Sequence, residues 1–132
     1  MKKKETLLKS ACPCGSSADY SDCCGRWHLG AAAPTPEALM RSRYSAYALG
    51  LADYLLETWH PSTRPAPLEI DASVKWIGLQ ILSTILQDES HGRVEFLARC
   101  RIGGRAERMH ENSRFVREEG RWYYLDGDFI QR

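Results

Sequence analysis

Cys12-Pro13-Cys14 and Cys23-Cys24 place four of the five cysteines of this 132-residue chain between positions 12 and 24. Two thiolates from each of two knuckles complete a tetrahedral metal site with no open position, the arrangement of structural rather than catalytic zinc. A sulfur-rich tetrahedron also suits iron, though zinc is its commoner occupant. A vicinal Cys23-Cys24 disulfide would be strained, and a thioredoxin-type pair needs C-x-x-C in a strand-to-helix setting that this loop-like segment lacks. Disulfide scaffolds belong to secreted chains, whereas here Lys2-Lys3-Lys4 leads straight into polar sequence with no apolar signal stretch. The expectation is a cytoplasmic protein holding one structural Zn2+ on Cys12, Cys14, Cys23 and Cys24.

The rest of the chain must position that site and build a body. With 43% hydrophobic residues and no apolar run long enough to span a bilayer, 132 residues suffice for one modest domain beside the metal module. The net charge of +1 is spread along the chain and lends nucleic-acid binding no support. Ala31-Ala32-Ala33-Pro34 reads as a small-residue connector, dividing a cysteine module (1–33) from an α+β body (34–132). Thr35 is a natural N-cap, Pro36 fits the first helical position, and Gly50 is a stop for a helix over 36–50. Met40, Tyr44, Tyr47 and Leu51 mark its buried stripe. A second short helix follows over 53–58, burying Tyr54 and Leu55, before His60-Pro61 breaks regular structure. The apolar run 74–84 suggests a central strand covered on both faces. Val94, Phe96, Ala98, Cys100 and Ile102 alternate with polar residues as a half-buried strand, with Cys100 an ordinary buried thiol. Gly103-Gly104 and Glu118-Glu119-Gly120 turn it into strands over 105–117 and 121–126, an antiparallel meander.

Cys12-Pro13-Cys14-Gly15-Ser16, Tyr20 and Cys23-Cys24 resemble the SEC-C zinc motif, found at the end of the bacterial preprotein-translocase motor. Trp27-His28-Leu29-Gly30, Arg43-Tyr44-Ser45-Ala46-Tyr47, Thr58-Trp59-His60-Pro61 and Arg121-Trp122-Tyr123-Tyr124-Leu125-Asp126-Gly127 extend the resemblance nearly end to end, to the bacterial YchJ family. That resemblance implies a nuclear-transport-factor-two-like body, a bent sheet wrapped by helices into a cone, and zinc on Cys12, Cys14, Cys23 and Cys24. The SEC-C pattern accepts Cys or His at its last ligand position. Cys24 fills it, and His28 stands by as a substitute ligand or a support behind the ligands. Ser21 and Asp22 occupy positions where many such motifs carry lysines.

Two functions fit this resemblance. In the first, zinc fixes a compact surface that presents Tyr20 and Trp27, with His28, to a protein partner, as an adaptor does. In the second, the cone holds a small molecule, as a binder or an isomerase- or hydrolase-type enzyme. Asp53, His60 and Glu111 are then the acid/base candidates, with Trp59, Trp76, His110 and Tyr124 as further pocket residues. Glu111 shares a strand face with Ser113 and Phe115, which points it inward. His60 before Pro61 equally suits ordering the helix exit. Arg99, Arg101, Arg105, Arg108, Arg114 and Arg117 alternate with acids, as on a solvated sheet face with cross-strand ion pairs. A homodimer paired through the sheet is compatible with either function. No phosphate loop, dinucleotide fingerprint or serine elbow is present.

Overall fold

A computed structural model describes residues 10–130; the Lys2-Lys3-Lys4 stretch lies outside the described residues. A 3-10 turn, Tyr20–Asp22, precedes helix α1 (Cys24–His28), α2 (Pro36–Leu49) and α3 (Ala52–Glu57). Strands β1 (Val74–Asp88), β2 (His91–Ile102), β3 (Arg105–Glu118) and β4 (Arg121–Phe129) then form one antiparallel sheet in sequential order.

Each α2 boundary has its chemical cause. The Ala38 N–H donates to Thr35 Oγ1 at 3.1 Å, satisfying an amide the first helical turn leaves open, with Pro36 just inside. Gly50 ends the helix with φ 76°, in the left-handed region. The expected stripe is wider in the fold, because α2 lies between the sheet, α3 and the cysteine module. Leu39, Ser42, Arg43, Ser45 and Ala46 are buried along with Met40 and Tyr44.

The β2–β3 and β3–β4 turns use paired left-handed residues, Gly103-Gly104 (φ 58° and 83°) and Glu119-Gly120 (φ 51° and 80°). That geometry matches the strands' twist. Strand β1 departs from the expected central strand: it is the sheet edge, and Ile77, Leu82, Ile85 and Leu86 are exposed. Its register against β2 shifts after Trp76, Ile81 and Leu86. Each shift re-aims the side chains that follow, so an edge strand reads as apolar on both faces.

One core joins both halves of the sequence. Cys12, Cys14 and Cys24 belong to the same buried cluster as Leu39, Met40, Tyr44, Val94, Phe96, Phe115 and Trp122, and Ala33 of the connector is buried within it. Beyond α3 the chain lies along β4, where the His60 N–H donates to Tyr124 O and the Tyr124 N–H to Thr58 O, both at 2.8 Å. No helix among the described residues is long and apolar enough to cross a membrane.

Candidate functional site

The cysteine site is assembled by two local turns. Gly15, at φ 83°, lets its N–H reach Cys12 O at 3.1 Å and folds Cys12 and Cys14 into one knuckle. The 3-10 turn delivers Cys23, and Cys24 opens α1. Gly25 lets α1 close on that turn, since a Cβ there would sit 2.7 Å from Tyr20 O. The four Sγ atoms lie within 4.8 Å of one another, and Cys14 and Cys23 are 3.6 Å apart. No pair is bonded as a disulfide. A tetrahedral ion with metal–sulfur bonds of about 2.3 Å needs sulfur separations near 3.8 Å, so the cluster could hold a metal ion.

The surroundings favour anionic sulfur. Ser16 Oγ lies 3.1 Å from Cys23 Sγ, Ser45 Oγ 3.5 Å from Cys12 Sγ, and Arg41 Nη1 donates to Cys14 O at 3.0 Å with Cys14 Sγ at 3.8 Å. Hydrogen bonds from Cys12 and Cys24 hold the Cys14 thiol far below the usual range. Hydrogen bonds with Cys12 and Cys14 push Cys24 far up, and burial raises Cys23. One thiolate forms readily and opposes the next. A bound cation removes that opposition, and the donor set therefore fits a metal.

His28 is not among the clustered ligands. Its Nδ1 meets the Tyr20 hydroxyl at 2.5 Å and its Nε2 the Ser42 carbonyl at 2.8 Å. Both ring nitrogens are spent, Nδ1 tying α1 to the 3-10 turn and Nε2 tying it to α2, and burial lowers the imidazole pKa despite the Ser42 contact. Tyr20 and Trp27 are half-buried and packed on the core rather than displayed, with Arg26 over the Trp27 ring at 4.4 Å. The large apolar side chain exposed beside them is Leu29, at 89%.

Between α2 and the inner sheet face lies a cavity of about 340 Å3. Tyr44, Tyr47, Trp59, Trp76, Phe96 and Tyr124 form aromatic walls, and Arg43, Glu111 and Ser113 supply the polar groups. Glu111, 7% exposed, accepts from Ser113 Oγ at 2.6 Å and from the Tyr124 hydroxyl at 3.4 Å. Arg43, 4% exposed, donates through Nη1 to Leu55 O at 2.8 Å and Thr58 Oγ1 at 2.7 Å. Burial pulls its guanidinium down to about 10. Sequence reasoning missed Arg43 as a site residue. The signal was present, since Met40, Arg43 and Tyr47 recur at helical spacing with Tyr44, but an arginine in an apolar stripe reads as a break in it.

Three other candidates fall outside this cavity. Asp53 is exposed on α3. His60 bonds Ser62 Oγ at 2.7 Å and Glu118 Oε2 at 2.8 Å, ordering the exit from α3. His110 lies one residue out of phase with Glu111, so it turns to the other sheet face and meets Glu95 Oε2 at 2.6 Å. Arg114 on that face pairs with Asp126 and Asp128 of β4, at 2.5 and 2.6 Å, rather than with the glutamates of its own strand.

Comparison with known proteins extends this picture along the whole chain. The family profile described as YchJ, middle NTF2-like domain, matches residues 35–127, and the SEC-C motif matches residues 9–26. A UPF0225 protein of Bordetella bronchiseptica is 60% identical over 130 residues, covering 96% of this chain and 98% of that protein. One from Chromobacterium violaceum is 58% identical over 133 residues, covering 95% and 97%. Among solved structures, a SEC-C motif containing protein from Rhodopseudomonas palustris superposes with a TM-score of 0.81 at 39% identity, covering 92% of this chain and 100% of that one. Another from Psychrobacter arcticus gives 0.79 at 28% identity, covering 96% and 86%. With the cysteine cluster and the cone both matched by sequence and by shape, the chain belongs to the YchJ family of UPF0225 proteins, a SEC-C motif followed by an NTF2-like domain.

Proposed function

We propose that this protein binds a small molecule inside the cone, and that its cysteine module is a structural zinc clamp on the helix forming one cavity wall. The observation that carries the reading is the convergence of Arg43 and Glu111 on an apolar cavity of about 340 Å3. Both are more than nine-tenths buried, and among the described residues neither has an oppositely charged side chain in ion-pair contact. Buried charges that face each other across a cavity without direct contact cost stability unless a ligand completes them, and their presence in the cavity supports the reading of a binding site. Four sulfurs leave zinc no open position, which assigns the metal to support rather than to chemistry. Were the site to catalyse an isomerase- or hydrolase-type step, Glu111 would be its base, as the cavity's one carboxylate.

Filling the cavity tests this. Ala98 lines it, and Ala98→Phe occupies the space while leaving the cysteines untouched. Small aromatic molecules should raise the melting temperature of the unmodified protein and not of Ala98→Phe, with equal zinc content in both. The reading is wrong if no such molecule distinguishes the two proteins.

A protein-adaptor role rests on one observation, the exposed Leu29 at the end of α1 beside Trp27. Leu29→Glu should then abolish binding of a purified partner at unchanged zinc content.

A further inference from the structure

Arg43 is held so that only part of its donor set is used. Nη1 is fixed by Leu55 O and Thr58 Oγ1, and the guanidinium carbon stands 5.0 Å from the Trp59 ring centre and 4.7 Å from that of Tyr124. Nε and Nη2 make no hydrogen bond among the described residues. Glu111 is similarly half-used: Oε1 accepts from Ser113 and Tyr124, and Oε2 has no donor among the described residues. Burial and the neighbouring Glu111 raise the Tyr124 hydroxyl pKa, which keeps it a donor toward that carboxylate.

We infer that the cavity takes a flat aromatic or heteroaromatic carboxylate carrying an N–H or O–H donor away from the acid group, with the carboxylate on Arg43 and the donor on Glu111 Oε2. The inference rests on the cavity being a binding site, as proposed above. Nε and Nη2 form the side of a guanidinium that matches the two oxygens of a planar carboxylate. One cation facing one carboxylate does not suit a phosphate dianion, whose second charge would meet only Glu111. An ionised carboxylate accepts and never donates, so the ligand group opposite Glu111 must supply the hydrogen. The aromatic walls favour a ring, and a cavity of about 340 Å3 admits one or two fused rings rather than a chain-bearing cofactor.

Calorimetric titration of the zinc-loaded full chain tests this with two matched series. 4-Hydroxybenzoate is compared with benzoate, which lacks the donor, and with phenol, which lacks the acid. Indole-3-acetate is compared with indole and with tryptamine, which replaces the acid by an ammonium. The acids should bind about ten- to a hundred-fold tighter than phenol or indole, the range expected of a charge-assisted pair of hydrogen bonds. 4-Hydroxybenzoate should also exceed benzoate, an advantage that Glu111→Leu should erase while the preference for acids persists. Arg43→Gln should remove that preference, and the series on the unmodified protein is decisive even if this variant fails to fold. Phenol and indole binding as tightly as the acids, or tryptamine binding tighter than indole-3-acetate, overturns the ligand class and leaves the cavity reading intact. No binding by any probe overturns both.

Discussion

Ser45 Oγ lies 3.5 Å from Cys12 Sγ, and two residues earlier on the same helix Arg43 reaches into the cavity. Helix α2 therefore has two working faces. Arg41 and Ser45 hold the cysteine knuckle, while Met40, Arg43, Tyr44 and Tyr47 wall the cone. What loosens the sulfurs reaches the cavity through one rigid element.

Removing the metal should consequently destabilise the whole protein. Zinc binding in isolated fingers supplies on the order of 10 kcal/mol of folding free energy, and even a third of that would lower the melting temperature of a chain this size by about 10 °C. Metal analysis should find one zinc per chain. Melting after treatment with a chelator, and of Cys14→Ser, checks the coupling, and an unchanged transition in metal-free protein would show that the cluster is dispensable.

Truncation to a chain beginning at Ala33 should abolish cooperative melting. The sequence reads as though the body could stand alone, with Ala31-Ala32-Ala33-Pro34 as its connector. In the fold, deletion of 1–32 exposes Leu39 and the buried Ser42 and Ser45, and strips the Cys12, Cys14 and Cys24 side chains from the shared core. Lost core contacts of that extent exceed the few kcal/mol by which small domains are stable. Circular dichroism during heating decides it, and a sharp transition in the shortened chain would show two independent units.

Elements with strong local signals were legible in advance: the Thr35 cap, the Gly50 stop, both glycine turns, the alternation of β2 and the inward aim of Glu111. The cysteine cluster was legible because ligand spacing is a local property. What escaped reading was tertiary. The bulges of β1 blur its alternation, so an edge strand passed for a central one. His60 and Asp53 look like acid/base groups in sequence, and only the packing of α3 on α2 and of the Thr58–His60 segment along β4 shows that they lie outside the cavity. Arg43 was hidden by its type, since a buried arginine is defined by partners far along the chain, Trp59 and Tyr124.

Acid should weaken the protein partly through His28. Burial lowers its folded-state pKa below the usual 6.5, with the Ser42 carbonyl opposing in part. The unfolded chain then binds the proton more readily, so stability is full above about pH 6.5 and is lost as pH falls below it. Protonation of thiolate ligands adds a loss of the same sign. His28→Gln keeps a polar side chain between Tyr20 and Ser42 without the titration. Denaturant melts between pH 7 and 5 should show a shallower decline in that variant, and parallel declines would remove His28 from the account.

Gly127→Ala should damage the cavity from behind. Gly127 pairs with Ser113 across β3 and β4, and a Cβ at this position would stand 2.8 Å from Glu111 Cδ and 3.1 Å from Cγ. The Glu111 side chain is buried and bonded to Ser113 Oγ, so it cannot swing into solvent to make room. Either the carboxylate moves further into the cavity, breaking its bonds to Ser113 and Tyr124, or the two strands separate. Overpacking of this kind costs about 1–3 kcal/mol, and the displaced Oε2 would no longer meet a ligand held on Arg43. The expected result is a melting temperature lower by several degrees, together with loss of the preference for 4-hydroxybenzoate over benzoate. Gly104→Ala is the control for glycine replacement, as its Cβ would meet nothing within 4 Å though its φ of 83° brings backbone strain. That variant should lose stability without changing ligand preference. If Gly127→Ala behaves the same way, the Glu111 carboxylate is not what reads the ligand.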